Sequence, residues 1–239
     1  MIKGLYTSVS GLAAAEARQR VLAHNIANVN ATGYKADDVT AESFESLYTA
    51  LFDPATPGGG AQSAGRRYDL SQGAFQETGA PLDLALDGPG FFVLIGPDGP
   101  QYTRAGRFTR DADGVVRSPD GLAVQDSAGR PLTVTGTDLR VGPDGAITAD
   151  GAPAGRLRVI DLDGASLTRA GAATFTSAAV PTPAAGRVVA GALERSNVDV
   201  TAVMTTMTMM LRAFEAGRQA VQLQNETLNA TVNNVGSVR

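Results

Sequence analysis

The chain has 239 residues, of which 43% are hydrophobic and 5% aromatic, and its formal net charge is −4. A chain of this size can bury a core in one sizeable domain or two small ones. The negative charge argues against nucleic acid as the main partner, because phosphate binding needs clustered Lys and Arg, and the absence of cysteine excludes disulfides, thiol catalysis and thiolate metal sites.

The positions of the prolines separate two helical ends from a different middle. All 12 prolines lie between Pro54 and Pro183, and proline breaks helix interiors because it lacks the backbone N–H donor. Apolar residues at helical spacing occupy the N-terminal segment: Leu5, Val9 and Leu12, and after an alanine-rich stretch Leu22 and Ile26. This spacing predicts an amphipathic helix, and Gly33 can supply the left-handed conformation that ends it.

Short apolar stretches alternate with turns in the middle of the chain. The Gly- and Pro-rich residues 53–65 predict a loop or linker. Further on, the triplet Pro-Asp-Gly occurs at 97–99, 119–121 and 143–145. In such a turn, Pro presets the first angle, Asp bonds its own backbone and Gly takes the positive φ. Regular turns between short strands predict an antiparallel β-domain.

The C-terminal segment carries a seven-residue repeat. Apolar residues recur at the first seam position: Val200, Met207, Phe214, Val221 and Leu228. Val203 and Met210 occupy the second seam position, which Gly217, Gln224 and Thr231 then weaken. The stripe is typical of a coiled coil that is firm on one side and thin on the other. The capping-box spacing of Ser196 and Asp199 predicts the start of this helix.

These elements predict an α+β fold in which the N- and C-terminal helices pair as a coiled-coil-like layer around a central antiparallel β-domain. The predicted segments are residues 1–35, the N-terminal helix; 36–70, a linker; 71–190, the β-domain; and 191–239, the C-terminal helix. A lone amphipathic helix is marginally stable in water. We therefore expect both ends to be frayed in the monomer and to become ordered when they pack laterally.

The sequence shows no constellation for catalysis or metal binding. The single histidine, His24, cannot build the usual zinc site without cysteine. The stretches that begin at Asp111 and Asp161 faintly suggest calcium loops, but the remaining ligands are missing, and turn residues are the better interpretation. Paired carboxylates for sugar hydrolysis stay open, because any two acids could meet in space. We expect a protein that is not an enzyme and has no cofactor.

Residues 25–35 read Asn-Ile-Ala-Asn-Val-Asn-Ala-Thr-Gly-Tyr-Lys. This stretch resembles the N-terminal signature of the flagellar axial family of rod, hook and hook-associated proteins. Its signature residues are Asn25, Asn28, Gly33 and Tyr34. Residues 4–12, 81–92, 102–108, 196–199, 212–215 and 225–229 are similar to further motifs of the rod and hook-basal-body members, in the same order.

The resemblance implies a structural subunit of the bacterial flagellar basal-body rod. Such a subunit would polymerise into a helical tube that encloses the export channel and transmits torque, with the terminal helices in the inner layer and the β-domain outside. The implied partners are copies of itself, other rod and hook subunits, and the flagellar type III export apparatus. The implied assembly interface consists of Leu5, Val9, Leu12, Leu22, Ile26, Val200, Val203, Met207, Met210, Phe214, Val221 and Leu228.

The expected location is the rod that spans the periplasm. No apolar run reaches the roughly 18 residues of a membrane span, and the N-terminus lacks a charged start followed by an apolar block. We therefore expect no membrane insertion and export without a cleaved signal. The alternatives are a hook-type or other axial protein, a hydrolase of the cell wall, and a monomeric binding module on a cell surface.

Overall fold

The computed structural model describes residues 16–38 and 67–236. The chain divides into two compact units. We call the first the helical unit; it consists of Met1–Ala27, Asp37–Arg67 and Asp199–Arg239. We call the second the β unit; it consists of Asn28–Ala36 and Tyr68–Val198.

Two helices account for most of the described part of the helical unit. Helix α1 covers residues 16–27, and helix α2 runs from Val200 to Gly236. The Asp199 carboxylate caps α2, because its Oδ1 accepts hydrogen bonds from the backbone N–H groups of Thr201 and Ala202 at 2.9 and 3.1 Å. The predicted helix start therefore needs a correction, since the capping side chain belongs to Asp199 and not to Ser196.

The predicted pairing of the N- and C-terminal helices in a coiled-coil-like layer is wrong. No pairing of α1 with α2 is evident among the described residues, and the fold consists instead of a β-rich core with several antiparallel sheets. The sequence of α2 offers a physical reason. Gly217, Gln224 and Thr231 present little apolar surface to a partner helix, so one side of the predicted seam has little to bury.

The strands are short, and 17 of the 18 described lie in or reach into the β unit. Strands β1 (Asp37–Asp38) and β2 (Arg67–Tyr68) flank the undescribed residues 39–66. The next strands are β3 (Phe75–Glu77), β4 (Leu84–Asp87), β5 (Phe91–Gly96), β6 (Gly99–Thr103), β7 (Thr109–Arg110), β8 (Val116–Arg117), β9 (Ala123–Val124), β10 (Leu139–Val141) and β11 (Ala146–Ala149). They are followed by β12 (Ala152–Arg156), β13 (Val159–Asp161), a 3₁₀ turn at Gly164–Ser166, β14 (Leu167–Arg169), β15 (Thr174–Ser177), β16 (Thr182–Pro183), β17 (Arg187–Ala190) and β18 (Ala192–Glu194).

The largest sheet of the β unit has nine strands. Its main path runs in the order β14-β15-β6-β5-β9-β8-β7, and β13 joins it by pairing with β5 and β16. A three-stranded sheet follows the order β10-β11-β12. Two further pairs join the beginning of the unit to its end: β4 pairs with β17, and β3 pairs with β18, both antiparallel.

Strand β5 lies between two hydrophobic clusters. Its alternate side chains point to opposite faces, so Phe92 and Leu94 pack in one cluster and Phe91 and Val93 in the other. Phe92 packs edge-on against Phe108, with ring centroids 5.3 Å apart. The apolar run that starts at residue 91 is therefore buried on both faces of the strand, because its alternate residues pack in different hydrophobic clusters.

Candidate functional site

The signature loop, residues 28–36, belongs to the β unit. At its centre Gly33 has a φ of 64°. A Cβ atom at this position would lie 2.2 Å from the backbone carbon of Arg104 and 2.2 Å from the backbone nitrogen of Ala105. Only glycine fits here, because it lacks the side chain that would collide with the neighbouring backbone. The Gly33 N–H also donates to the carbonyl oxygen of Glu194 at 2.7 Å.

Tyr34 is fully buried next to an arginine. The Arg169 guanidinium lies over three aromatic rings, 4.6 Å from the centroid of Tyr34, 5.1 Å from that of Tyr68 and 4.9 Å from that of Phe175. It also donates a hydrogen bond to the Lys35 carbonyl oxygen at 2.6 Å. Stacked cation–π contacts and this hydrogen bond hold the signature loop on the strands that carry Arg169 and Phe175.

Lys35, Arg104 and Glu194 form a buried ion cluster, which we call the clasp. The Lys35 Nζ atom lies 2.6 Å from Glu194 Oε1, and the Arg104 guanidinium lies 3.3 Å from Glu194 Oε2. The side chains of Lys35 and Glu194 have no exposed surface, and that of Arg104 is 5% exposed. The Gly73 N–H also donates to Glu194 Oε1 at 3.0 Å. One carboxylate therefore serves two cations and a backbone donor.

The charges of the clasp do not cancel among themselves. Burial lowers the pKa of the Lys35 ammonium below its ordinary value of 10.5, and the negative charge of Glu194 opposes that shift. Burial likewise lowers the pKa of Arg104, again against the effect of Glu194. Backbone carbonyl groups also stabilise the two cations. Lys35 donates a hydrogen bond to Ser71 O at 2.5 Å, and Arg104 donates one to Gly88 O at 2.8 Å.

Asn197 ties the signature loop to the end of the β unit. Its Oδ1 accepts a hydrogen bond from the Ala36 N–H at 2.8 Å, and its Nδ2 donates to the Asp69 carbonyl oxygen at 2.8 Å. In the helical unit Asn25 plays a similar part, because its amide bonds both the N–H and the C=O of Asp37 at 3.0 and 2.9 Å. Each of the signature residues Asn25, Gly33 and Tyr34 therefore makes contacts or meets a steric limit that explains why this residue type stands at its position.

The first turns of α2 expose apolar side chains. Met204 is 54% exposed, Met209 65% and Leu211 44%. The predicted interface residues nearby are less exposed: Val200, Val203, Met207 and Met210 are all half-buried. Met204 and Leu211 are seven residues apart and so share one side of the helix. Met209 lies roughly 140° around the helix from Met204, so apolar side chains are exposed on two sides of the described part of α2.

The remaining predicted interface residues are described only in part. Leu22 and Ile26 are half-buried on α1. Leu5, Val9 and Leu12 lie outside the described residues, and so do the side chains of Phe214, Val221 and Leu228. Whether these residues contact neighbouring subunits stays a prediction.

The acidic turns show no vacant ligand set. In one of them the Asp111 carboxylate accepts from the Val115 N–H at 2.7 Å and from Arg117 Nε at 2.6 Å, and this bond to Arg117 lowers the pKa of Asp111. Across residues 16–38 and 67–236, no group of three or more His, Asp or Glu side chains could hold a metal ion. His24 lies exposed on α1. None of the described helices is long and apolar enough to cross a bilayer.

Sequence reasoning missed the clasp and the role of Asn197. Lys35 and Arg104 stand inside recognisable motifs, but their joint burial with Glu194 joins positions 159 residues apart. The only local signal is a glutamate that directly follows the apolar pair Ala192-Leu193 in a strand, where a charge requires a partner. Leu211 was missed because it lies off the seven-residue stripe.

Three family models match the chain in order. Residues 5–35 match the model described as flagella basal body rod protein. Residues 85–149 match the flagellar hook protein FlgE/F/G D1 domain. Residues 189–234 match the flagellar basal body rod FlgEFG protein C-terminal model.

Curated relatives are similar over the whole length. The flagellar basal-body rod protein FlgG of Bacillus subtilis is 32% identical over 98% of this chain and 99% of its own length. The rod protein FlgF of Rhizobium meliloti is 31% identical, and that of Caulobacter vibrioides 29% identical, each over the full length of both chains.

Proposed function

Since the chain belongs to the family of flagellar basal-body rod proteins and is a structural subunit of the rod, we propose that its copies polymerise into a helical tube that encloses the export channel and transmits torque. Heterologous, head-to-tail contacts produce such open helical polymers. Transmission of torque requires many repeated contacts between subunits along the tube and does not require a catalytic site. We accordingly propose a purely structural role without enzymatic activity.

The observation that supports this proposal is the set of exposed apolar side chains on α2: Met204 and Leu211 on one side of the helix and Met209 on another. Full burial of an exposed side chain of this kind gains about 1.5–3 kcal/mol, and roughly half of that gain is available here because these side chains are 44–65% exposed. Three of them on one helix therefore favour a packed state over a free one. Methionine is unbranched and adapts to differently shaped partners, which suits a subunit that meets both its own copies and other axial proteins.

We propose that the interface with neighbouring subunits includes the apolar residues at both ends of the chain. This set consists of Leu5, Val9, Leu12, Leu22, Ile26, Val200, Val203, Met207, Met210, Phe214, Val221 and Leu228. The helical parts of segments 1–35 and 191–239 would then line the inner layer, 36–70 would act as a linker, and 71–190 would form the outer layer together with residues 28–35 and 191–198, which belong to the β unit.

The remaining parts of the proposal concern transport and location. A rod subunit has to leave the cytoplasm, and we propose that the flagellar type III export apparatus delivers this one without a cleaved signal. The rod that it joins spans the periplasm. Its partners there are copies of itself and other rod and hook subunits.

Two substitutions in α2 test the assembly interface. Phe214→Asp and Met209→Lys each place a charge where the proposal puts a subunit contact, so both should leave the β unit folded and abolish rod assembly and motility. Val180→Lys is the matched control, because Val180 is 86% exposed in the β unit. The readouts are the circular dichroism of purified protein, the rod content of isolated basal bodies and swimming. A motile strain with either α2 variant would refute the proposed interface.

A further inference from the structure

The clasp brings together three parts of the chain that are far apart in sequence. Lys35 belongs to the signature loop, Arg104 follows directly after β6, and Glu194 ends β18. The neighbouring pairings follow the same pattern, since the late strands β17 and β18 pair with the early strands β4 and β3. The β unit therefore closes only when its last strands reach its first.

Without Glu194 the site would hold two buried cations and, among the described residues, no anion in contact with them. Asp69 and Asp161 contribute weak attraction from a distance. Their carboxylates are engaged elsewhere, accepting hydrogen bonds from the N–H groups of Ser71 and Leu162. Removing one partner of a buried ion pair is strongly destabilising, because the other charge stays buried and uncompensated.

We propose that the clasp makes folding of the entire β unit conditional on its last strand, with Glu194 as the residue that completes it. A chain synthesised from its N-terminus presents Lys35 and Arg104 first and the required carboxylate only 159 residues after Lys35. Until then, the compact state would bury two unpaired cations. The β unit accordingly stays open until β18 is available.

This delay has a use if the subunit is exported unfolded, a consequence that rests on the proposed function. A domain that cannot close early stays competent for transport for longer. The folding claim itself concerns only the β unit, and it can be tested on purified full-length protein without any flagellar assembly. Evidence against the proposed rod assembly would therefore not contradict the folding claim for the clasp, and evidence against the folding claim would not contradict rod assembly.

The charges predict an unusual order among single variants. Glu194→Gln preserves shape but leaves two buried cations, so it should raise the unfolding equilibrium constant on the order of 10²- to 10³-fold. Lys35→Met and Arg104→Met change shape more, yet each leaves one balanced pair and should cost far less. The triple variant K35M/R104M/E194Q, which has no charge left in the clasp, should be more stable than Glu194→Gln alone.

Urea unfolding of the full-length variants at neutral pH measures this order, with Asp144→Asn as the matched control. Asp144 forms a 2.8 Å ion pair with Arg156, but both side chains are more than half exposed, so this change should shift the constant less than about fivefold. If Glu194→Gln proved milder than the two methionine variants, the cluster would act through packing, and the proposal would be overturned.

Amide hydrogen exchange tests whether the clasp governs the whole unit. In Glu194→Gln, the exchange of core amides in β5 should accelerate by the same factor as that of the signature loop, because both open in one event. Local opening of residues 28–36 and 192–198 with a fully protected β5 would show that the clasp only fastens the edge of the fold. That result would also overturn the proposal.

Discussion

Gly33 has the strictest steric requirement in the signature loop. Gly79 provides a matched comparison with a similar φ of 73°, because a Cβ atom there would have open space around it, whereas one on Gly33 would meet the backbone of Arg104 and Ala105. Both substitutions by alanine strain the backbone to a similar degree. We therefore expect Gly33→Ala to destabilise the protein by about 1–3 kcal/mol more than Gly79→Ala, since only Gly33→Ala adds a collision.

Chemical denaturation of the two alanine variants measures this difference directly. Equal losses of stability would mean that the neighbouring backbone moves aside without cost. A larger loss for Gly33→Ala would confirm that the contact with residues 104 and 105 fixes the loop.

The buried ammonium of Lys35 predicts an alkaline rise in stability. Because burial lowers its pKa in the folded state, the unfolded chain binds this proton more readily as the pH approaches 10.5. Stability therefore rises with pH between the folded pKa and 10.5. The groups that face the ammonium are Glu194, Arg104 and the more distant Asp69.

The comparison of wild type with Lys35→Met isolates this contribution from all other titrations. We expect the stability of the wild type relative to the variant to increase with pH in urea titrations from neutral pH to 10.5. A flat difference would show that Lys35 keeps its ordinary affinity for the proton in the fold, and a falling one would show that the fold raises its pKa; either result would contradict the prediction.

The elements of the β unit show where local sequence rules suffice and where they fail. The three Pro-Asp-Gly turns were predicted with a positive φ at glycine, and Gly99, Gly121 and Gly145 have it. Residues 131–134 lie beside the short strands of the β unit, but only isolated bridges form there, at Pro131 and Thr133. Proline cannot donate to a ladder, so the buried Leu132 and Val134 pack without a strand.

The start of α2 and the role of the signature loop depend on tertiary contacts that cannot be inferred from the local sequence. The cap of α2 could be read only to within a few residues, because Ser196 and Asp199 are both good capping residues and tertiary context decides between them. The signature loop was recognisable as a motif, but its function as a docking segment depends on Arg104, Glu194 and Asn197. These three residues are remote from the loop in sequence, so no local pattern can assign them to it.

At the scale of the whole molecule, the seven-residue periodicity predicts that the apolar stripe of α2 packs against another surface. It does not predict which chain supplies that surface. The predicted partner for α2 was the chain's own N-terminal helix, and the structure corrected that prediction. Met204, Met209 and Leu211 are exposed in the part of the chain that the structure describes, and the packing partner that we propose for them is a neighbouring subunit. The same limit applies to the clasp, where the sequence contains every charge but the fold decides which ones meet.

Amide hydrogen exchange of α2, compared between the dilute monomer and the assembled state, tests whether neighbouring subunits pack against this helix. In dilute monomer, we expect weak protection of residues 200–212, because their side chains gain little burial and an amphipathic helix without packing is marginal. Assembly should slow the same amides by at least about 100-fold, as expected for a state stabilised by binding well above its dissociation constant. Core amides in β5 serve as the internal control, since they should be protected in both states. Strong protection of α2 in the dilute monomer would mean that the helix needs no neighbour, and the idea that assembly orders the ends of this subunit would have to be abandoned.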